Sequence, residues 1–255
     1  MASYDIIGNI AIIKGEGKTK KQKLAQAKEL LKQSSIKTVL EKGGNIKGRL
    51  RTIKPKYIAG KKNFIADYKE NGCRFRFDIR TCYFSPRLSH DRKQVALKIK
   101  KKDRVLVMFS GVGVYPIVIN RYSNPKEIFS VELGRDCCRY ANENLRLNQM
   151  QDKIKIIQGD VRKKLTPELG KFSVIMMARP NLKNSFLEDA LKVSKRGTRI
   201  FYHLFCHEDD LKNELKKLEN EAESLGRKIK IKQVDFAGDI APHKFRYRVE
   251  IVVKK

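Results

Sequence analysis

A glycine-containing turn between two apolar segments restricts the possible folds more than any other feature of this chain. The apolar segment Val105–Phe109 ends in Ser110-Gly111-Val112-Gly113, and a second, mostly apolar segment, Ile128–Val131, ends in Glu132. In α/β sheets, glycines after one strand let a nucleoside approach the backbone, and an acid ending the next strand accepts hydrogen bonds from ribose hydroxyls. The pattern therefore predicts an α/β fold that holds a nucleoside-containing cofactor through Phe109, Gly111, Gly113 and Glu132.

This turn differs from the turns that bind pyrophosphate. Counted from Gly111, the third glycine of a GxGxxG motif would fall on Pro116, and no Gly-Lys-Ser/Thr sequence follows. A glycine pair without that fingerprint favours S-adenosylmethionine, which has no pyrophosphate, although an ordinary tight turn is the alternative. Gly159-Asp160 follows a third predicted strand, so Asp160 is expected near the adenine amino group; a simple turn aspartate is its alternative.

The chain is strongly basic. Its 255 residues include 57 Lys and Arg against 28 Asp and Glu, a formal net charge of +29, and the excess is spread along the sequence. This distribution favours a polyanionic partner, most simply a nucleic acid. No apolar segment reaches the length that crosses a bilayer, and residues 1–13 lack the basic start of a signal peptide. We therefore expect a cytoplasmic protein, simplest as a monomer, without membrane contact.

Two patterns of secondary structure divide the sequence. Residues 1–80 predict a small α+β domain, with a strand over 4–13 bent at Gly8, a basic helix over 19–33, a strand over 36–40 and a strand over 73–80. Residues 81–255 alternate strands and helices, which predicts a mainly parallel sheet. The strands are expected at 104–109, 128–132, 154–157, 172–177, 198–205 and 245–253, and the helices at 91–100, 113–121, 136–147, 184–195 and 208–225. Asp136 is expected to begin the third of these helices and Gly197 to cap the fourth.

Cysteine and histidine spacing gives no metal motif. The five cysteines form no CxxC pair, and the four histidines form no ligand cluster. His203 and His207 are four residues apart, but the sequence between them is typical of a strand. We therefore predict reduced thiols and no metal site.

A series of motifs resembles one enzyme family. The segment YFSPRL begins at Tyr83 and is followed by Asp91-Arg92. Three further motifs precede it in the chain, YDIIGNIAII, TVLEKGG with GRLRT, and ENGCRFRFDI, and three follow it, MFSGVG, NENLRLN and GDVR. Together these motifs, which span residues 4 to 162, resemble the tRNA guanine-37 N1-methyltransferases of archaea and eukaryotes. The resemblance implies a class I, Rossmann-like S-adenosylmethionine domain, a tRNA anticodon-loop substrate, and a shortened member lacking the family's extra tRNA-elbow domain.

The resemblance also implies roles for individual residues. Arg51 would contact O6 of the target guanine, Tyr83 would lie against the cofactor, and Arg87 would organise the site. Asp91, where most members have Glu, would be the general base for N1, which must lose its proton before it becomes a good nucleophile. The substrate-binding residues implied are Arg92, Arg179 and Pro180.

The sequence departs from the family at three places. Val107 stands where an acid is usual, Gly134-Arg135 replaces Asn-Pro, and Ala178-Arg179-Pro180 replaces Asn-Leu-Pro. The last change affects an asparagine that contacts the target base, so a wyosine intermediate is a further possible substrate. Two other functions stay open: an aminocarboxypropyl transferase of the wyosine pathway, and a non-catalytic RNA-binding protein.

Overall fold

A four-stranded sheet with one helix forms the amino-terminal part of the protein. The computed structural model describes residues 4–44, 52–178 and 184–254. The elements of this part are β1 (Tyr4–Ile7), β2 (Ile10–Ile13), α1 (Lys20–Leu31), β3 (Thr38–Glu41) and β4 (Lys56–Gly60), with the sheet order β1-β2-β3-β4. The expected single strand over 4–13 is wrong. Gly8, with φ of +58°, begins a tight turn that folds β2 back antiparallel to β1.

A two-stranded hairpin, β5 (Ile65–Glu70) and β6 (Cys73–Asp78), joins this part to the rest of the chain. The backbone N–H groups of Arg74 and Arg76 donate to the side chains of Asn148 (2.9 Å) and Asn144 (2.7 Å), both in the second part of the protein. On the other strand of the hairpin, the N–H of Asp67 donates to the side chain of Asn9 (2.8 Å). The hairpin is thus bonded to both parts, and a domain boundary at residue 80 stays a prediction.

A seven-stranded sheet forms the second part. Its strands are β7 (Arg104–Met108), β8 (Glu127–Glu132), β9 (Ile154–Gln158), β10 (Phe172–Met177), β11 (Ser194–His207), β12 (Ile229–Ala241) and β13 (Lys244–Val253). The order is β12-β13-β11-β10-β7-β8-β9, with β7 to β11 parallel and β13 antiparallel to both of its neighbours. In chain order, β8 and β9 are added on one side of β7, whereas β10 and β11 are added on the other side of β7. This reversal of direction creates a crevice at the carboxyl ends of the strands.

Helices cover both faces of this sheet. They are α2 (Ser89–Leu97), α3 (Val114–Ser123), α4 (Arg135–Leu147), α5 (Val161–Lys164), α6 (Leu187–Lys192) and α7 (Leu211–Ser224). Buried residues of α2, α3 and α4 pack in one apolar core, which also includes residues of β1, β2 and β6, while α5, α6 and α7 pack in a second core on the opposite face. No helix among the described residues is both long and apolar enough to cross a membrane.

Three expectations for the second part need correction. The strand β12 is missing from the predicted elements, because the apolar alternation of its sequence is diluted by polar residues at an exposed sheet edge. Gly197 does not cap a helix. The helix α6 ends at Lys192, and Gly197, with φ of +85°, lies in an irregular start of β11, where the Thr198 hydroxyl donates to the Phe172 carbonyl (2.6 Å). The helix α4 begins at Arg135 after Gly134, so Asp136 lies in its first turn rather than at its cap.

Candidate active site

A pocket opens at the carboxyl ends of the central strands. We call one side of it the glycine-turn half; its lining comes mainly from the ends of β7, β8 and β9 and comprises Tyr83, Phe109–Val112, Glu132, Leu133, Cys137, Gly159–Val161 and Phe186. We call the other side the histidine half; its lining comes mainly from α2, α3, β10, β11 and β13 and comprises Phe84, Ser85, Leu88, Arg92, Val114, Tyr115, Ala178, His203, Phe205 and Arg246. The two halves together form one cleft at the switch point of the sheet, where α/β proteins commonly bind ligands.

The glycine turn has the backbone conformation that its sequence requires. Phe109 and Gly111 have φ of +61° and +57°, so the chain turns sharply after β7 and presents its backbone to the pocket. Gly113, with φ of +82°, lies outside the pocket lining and is the residue that precedes α3. A Cβ there would lie 3.3 Å from the Cβ of Ala141, so Gly113 serves the turn and the close packing of α3 on α4. Ser110 lines the pocket, and its buried hydroxyl has no hydrogen-bond partner among the described residues.

Glu132 lies where the acid of the second strand was predicted. Its carboxylate is buried at the pocket wall and accepts from the backbone N–H of Gly111 (2.8 Å) and of Gly134 (2.7 Å). Burial raises the pKa of this carboxyl group, and the hydrogen bonds from Gly134, Gly111 and Leu133 oppose that increase. Each oxygen keeps further acceptor capacity toward the pocket. Glu132 thus links the glycine turn to the start of α4 and presents an acceptor to a ligand.

Asp160 lines the pocket and also caps α5. Its side chain accepts from the backbone N–H of Arg162 (3.1 Å) and pairs with the Arg162 guanidinium (2.6 Å). The expected alternative to an adenine contact was a simple turn aspartate. The capping role observed is compatible with a ligand contact, because a carboxylate has about four acceptor positions. Phe109 and Phe186 stand edge to face with ring centroids 4.9 Å apart, and both line the pocket, which gives this half an apolar aromatic wall.

Asp91 is buried in a hydrogen-bonded network behind the histidine half. Its carboxylate accepts from Arg248 (2.5 Å) and from the hydroxyl of Tyr115 (2.5 Å), and it lies 3.1 Å from Nε2 of His203. Burial alone would raise the pKa of Asp91, but the His203 hydrogen bond and the charges around it, including Arg248, hold the pKa well below its usual range. Asp91 is therefore ionised and weakly basic. It does not line the pocket, whereas His203 and Tyr115 do.

His203 is buried, belongs to the Asp91 network and lines the pocket. Burial lowers the pKa of its imidazole, and the hydrogen bond and charge of Asp91 oppose this effect, while the charges of Arg246 and Arg248 add to it. The imidazole is consequently neutral at pH 7. An ionised carboxylate beside Nε2 favours the tautomer with its proton on that nitrogen, as in other carboxylate–histidine pairs.

Two predicted arginines are held in ion pairs. The guanidinium of Arg92 makes a bidentate pair with Glu70 on β5 and also donates to the carbonyl of Ser85 (3.1 Å). Both Arg92 and Glu70 are buried. Arg92 therefore lines the pocket as a group whose charge is balanced by Glu70 and whose position is fixed by the ion pair. Arg87 lies outside the pocket lining; its side chain is 62% exposed and pairs with Asp5 of β1 (2.7 Å). Arg87 is thus engaged by Asp5 rather than by a group of the pocket.

The predicted site residues thus fall into three groups. The pocket brings together Tyr83, Phe109, Gly111, Glu132, Asp160 and Arg92, while Gly113, Arg87 and Asp91 lie next to it or away from it. The predictions for Arg51, Arg179 and Pro180 lie outside the described residues. Sequence reasoning missed Tyr115, His203, Phe205 and Arg246. The run FYHLFC, a histidine within a predicted central strand, was the available signal for His203.

Comparison with known proteins identifies the family of most of the chain. The model of the TRM5/TYW2 methyltransferase domain matches residues 66–231, and that of the TYW2 N-terminal domain matches residues 1–63. The chain is 30% identical to the tRNA (guanine(37)-N(1))-methyltransferase Trm5b of Pyrococcus abyssi, over 98% of this chain and 74% of that protein. It is 28% identical to the tRNA (guanine(37)-N(1))/4-demethylwyosine(37)-methyltransferase Taw22 of Nanoarchaeum equitans, over 98% of this chain and 99% of that protein.

A solved structure confirms the predicted architecture. The crystal structure of Trm5b from Pyrococcus abyssi superimposes with a TM-score of 0.88 at 28% identity, covering 99% of this chain and 75% of that one. The expected Rossmann-like methyltransferase domain, preceded by a small α+β domain, is therefore confirmed.

Proposed function

Because the chain belongs to the TRM5/TYW2 methyltransferase family, we propose that it transfers the methyl group of S-adenosylmethionine to N1 of the purine at position 37 of tRNA. The observation that carries the proposal is a single cleft with a nucleoside-type half, built by the glycine turn and Glu132, facing a half that holds a neutral histidine. The names of the relatives and the charge of +29 support a tRNA acceptor. We further propose the anticodon loop as the part bound, and a monomer in the cytoplasm as the working state.

The glycine-turn half fits S-adenosylmethionine. Glu132 would accept from the ribose hydroxyls, the Gly111 backbone would face the ligand, and the apolar wall formed by Phe109 and Phe186 would contact the adenine near Asp160. The unpartnered Ser110 hydroxyl offers a further polar contact. When bound, the cofactor supplies a methyl group on a positively charged sulfur, which is already activated for transfer. The protein therefore has to position the acceptor and manage its proton.

Replacing Glu132 by alanine should weaken S-adenosylmethionine binding by about 1–3 kcal/mol, because ribose hydroxyls would lose their buried acceptor. Isothermal titration calorimetry measures this change. Glu127→Ala is a matched control, since Glu127 begins the same strand at its opposite end and pairs with Arg104 there. Equal affinities of wild type and a folded Glu132→Ala protein would remove Glu132 from the cofactor site.

The histidine half suits the acceptor. Guanine N1 must lose its proton as the methyl group arrives, and a neutral imidazole at the pocket wall can take it while Asp91 stabilises the resulting positive charge. We therefore revise the predicted base: His203 accepts the proton, and Asp91 orients His203. The predicted contact of Arg51 with O6 would stabilise charge that develops on that oxygen.

Binding of tRNA should depend steeply on salt. Lysines and arginines that neutralise phosphates release counterions, so about six to ten such contacts would lower affinity by about 10³–10⁵-fold between 50 and 200 mM salt. Filter binding across this range measures the slope. The basic residues of α1 and the exposed arginines of β6 are the expected contributors. An affinity that stays flat over the range would contradict phosphate contacts as the main source of binding.

One experiment tests the proposed function directly. Unmodified tRNA is incubated with the protein and S-adenosylmethionine, and its nucleosides are then identified by mass spectrometry. A methylated purine from position 37 supports the proposal, and comparing transcripts with G37 and tRNA carrying a wyosine intermediate identifies the base. An added aminocarboxypropyl group would instead favour the second candidate, which the match to the TYW2 N-terminal domain supports. No product and no calorimetric signal for the cofactor would leave an RNA-binding protein.

A further inference from the structure

Arg246 differs from the other arginines around the pocket. It lies on β13, is 8% exposed, and lines the histidine half. Within the described ranges its guanidinium makes no ion pair and no hydrogen bond, and its Cζ lies over the ring of Phe205, 5.3 Å from the ring centroid. Arg92 pairs with Glu70, and Arg248, two residues along β13, pairs with Asp91 and Asp235. Arg246 is thus a buried cation facing the pocket without a carboxylate partner in the described protein.

Such an arrangement is costly without a ligand. A buried charge loses its hydration and regains that energy only through a counter-charge or well-made hydrogen bonds. The Phe205 ring offers some compensation, but a cation–π contact is weaker than a buried ion pair. The side chain also has five donors in a planar fork, which match the oxygens of phosphates, carboxylates and base carbonyls. The expected ligand group is therefore an oxygen that carries negative charge.

The position of β13 indicates which ligand brings this oxygen. In the sheet, β13 is separated from β7 by β11 and β10, which makes three strand spacings, or about 14 Å. From β8, which carries Glu132, the separation is four spacings, or about 19 Å. In S-adenosylmethionine only three carbon atoms separate the sulfur from the carboxyl carbon. If Glu132 holds the ribose, the cofactor is too short to be the expected partner of Arg246. We therefore expect Arg246 to contact the acceptor. His203 and Phe205, on the neighbouring strand β11, share this side of the pocket.

We infer that Arg246 binds a negatively charged oxygen of the tRNA nucleotide that receives the methyl group. This inference rests on the proposed function and extends it by naming the residue that pairs with the acceptor. Two oxygens have the required chemistry: a phosphate next to the target nucleotide, and the base carbonyl that gains charge when N1 loses its proton. Both would replace the missing counter-charge of Arg246 and place the base beside His203.

The test compares Arg246→Gln with wild type in binding a fluorescently labelled anticodon stem–loop in the presence of S-adenosylhomocysteine. Affinity for the RNA should fall by about 10–100-fold, because a charge-assisted contact is lost. Arg196→Gln is the matched control: Arg196 is exposed at the opposite end of β11, so the same loss of charge there should change affinity little. Arg246→Lys should recover part of the affinity if the partner is a phosphate, since lysine binds phosphate as a point charge.

Salt dependence distinguishes the two oxygens. A phosphate contact should make the slope of log affinity against log salt shallower by about one in Arg246→Gln. With a base carbonyl the slope should stay at the wild-type value, while single-turnover transfer slows beyond the loss of binding. Cofactor affinity, measured by calorimetry, should be unchanged in either case.

Two results would overturn the inference. Wild-type RNA affinity in Arg246→Gln would show that no acceptor oxygen pairs with this arginine. Loss of cofactor affinity in the same variant would assign Arg246 to the cofactor carboxylate instead. If Arg246→Gln does not fold, as judged by thermal unfolding, the same comparisons apply to Arg246→Lys, which keeps the charge but loses the planar fork. The binding assay needs no turnover, so an absence of methyl transfer by wild type would refute the proposed function without deciding the role of Arg246.

Discussion

Replacing His203 by glutamine should slow single-turnover methyl transfer to a G37 transcript by about 10²–10⁴-fold, the usual contribution of a positioned general base. Glutamine keeps hydrogen-bonding capacity but has no nitrogen that accepts a proton at neutral pH. Affinity for S-adenosylmethionine should stay near that of wild type, because His203 lies in the histidine half and Glu132 in the glycine-turn half.

Asp91→Asn provides the matching measurement. If Asp91 acts by orienting His203 and stabilising its positive form, the asparagine variant should slow transfer as well. The double variant should then be little slower than either single one, because residues that act as a unit are not additive. Thermal unfolding must accompany the kinetics, since Asp91 also neutralises Arg248.

The alternatives give different patterns. A fast His203→Gln beside a slow Asp91→Asn would return the role of base to the Asp91 carboxylate, against its lowered pKa. Near-normal rates in both variants would show that another group or water takes the proton, and the carboxylate–histidine pair would have to be abandoned as the base.

Glu70→Ala should lower the free energy of unfolding by about 3–5 kcal/mol, because removing one member of a buried ion pair leaves the other charge uncompensated. The remaining charge is Arg92, which is as buried as Glu70 itself. Urea denaturation followed by circular dichroism measures the change. Replacing both residues by apolar ones, Glu70→Leu with Arg92→Met, should recover most of the loss, since no unpaired charge remains.

An exposed ion pair supplies the control for this measurement. Glu29 and Lys32 lie on α1 and just after it, with side chains 70% and 73% exposed, so Glu29→Ala should hardly affect stability. A loss in Glu70→Ala no larger than that in Glu29→Ala would mean that Arg92 finds water or another partner, and that the pair does not fix the hairpin β5–β6 to α2.

The glycine-turn half was predictable because its residues follow short-range rules. Parallel strands end at the same edge of a sheet, so the turn after β7, Glu132 at the end of β8 and Asp160 after β9 had to meet once the three strands were recognised. The conformation of Gly111 also follows from a local requirement for positive φ. None of these inferences needed the packing of distant parts of the chain.

The histidine half was not predictable from local pattern. Asp91 is paired with Arg248, 157 residues away, and this pairing decides its burial and its low pKa. Arg87 is likewise committed to Asp5, 82 residues away. Arg246 and Arg248 belong to a hairpin of which we recognised only one strand, so their approach to β11 could not be seen. Charged residues that resemble solvated surface positions in the sequence became buried through tertiary pairing.

The division of the sheet has a consequence for how this enzyme can diversify. The side chains proposed to hold the nucleoside come from the ends of β7, β8 and β9, whereas those proposed to face the acceptor come mainly from β11 and β13, on the other side of the switch point. A substitution on β11 or β13 should therefore reshape acceptor preference without disturbing the proposed contacts to the methyl donor. Because residues far apart are nearly additive in their effects, such changes accumulate one at a time with donor binding retained. A duplicated copy of this protein could thus drift toward a new nucleoside through a few changes on two adjacent strands.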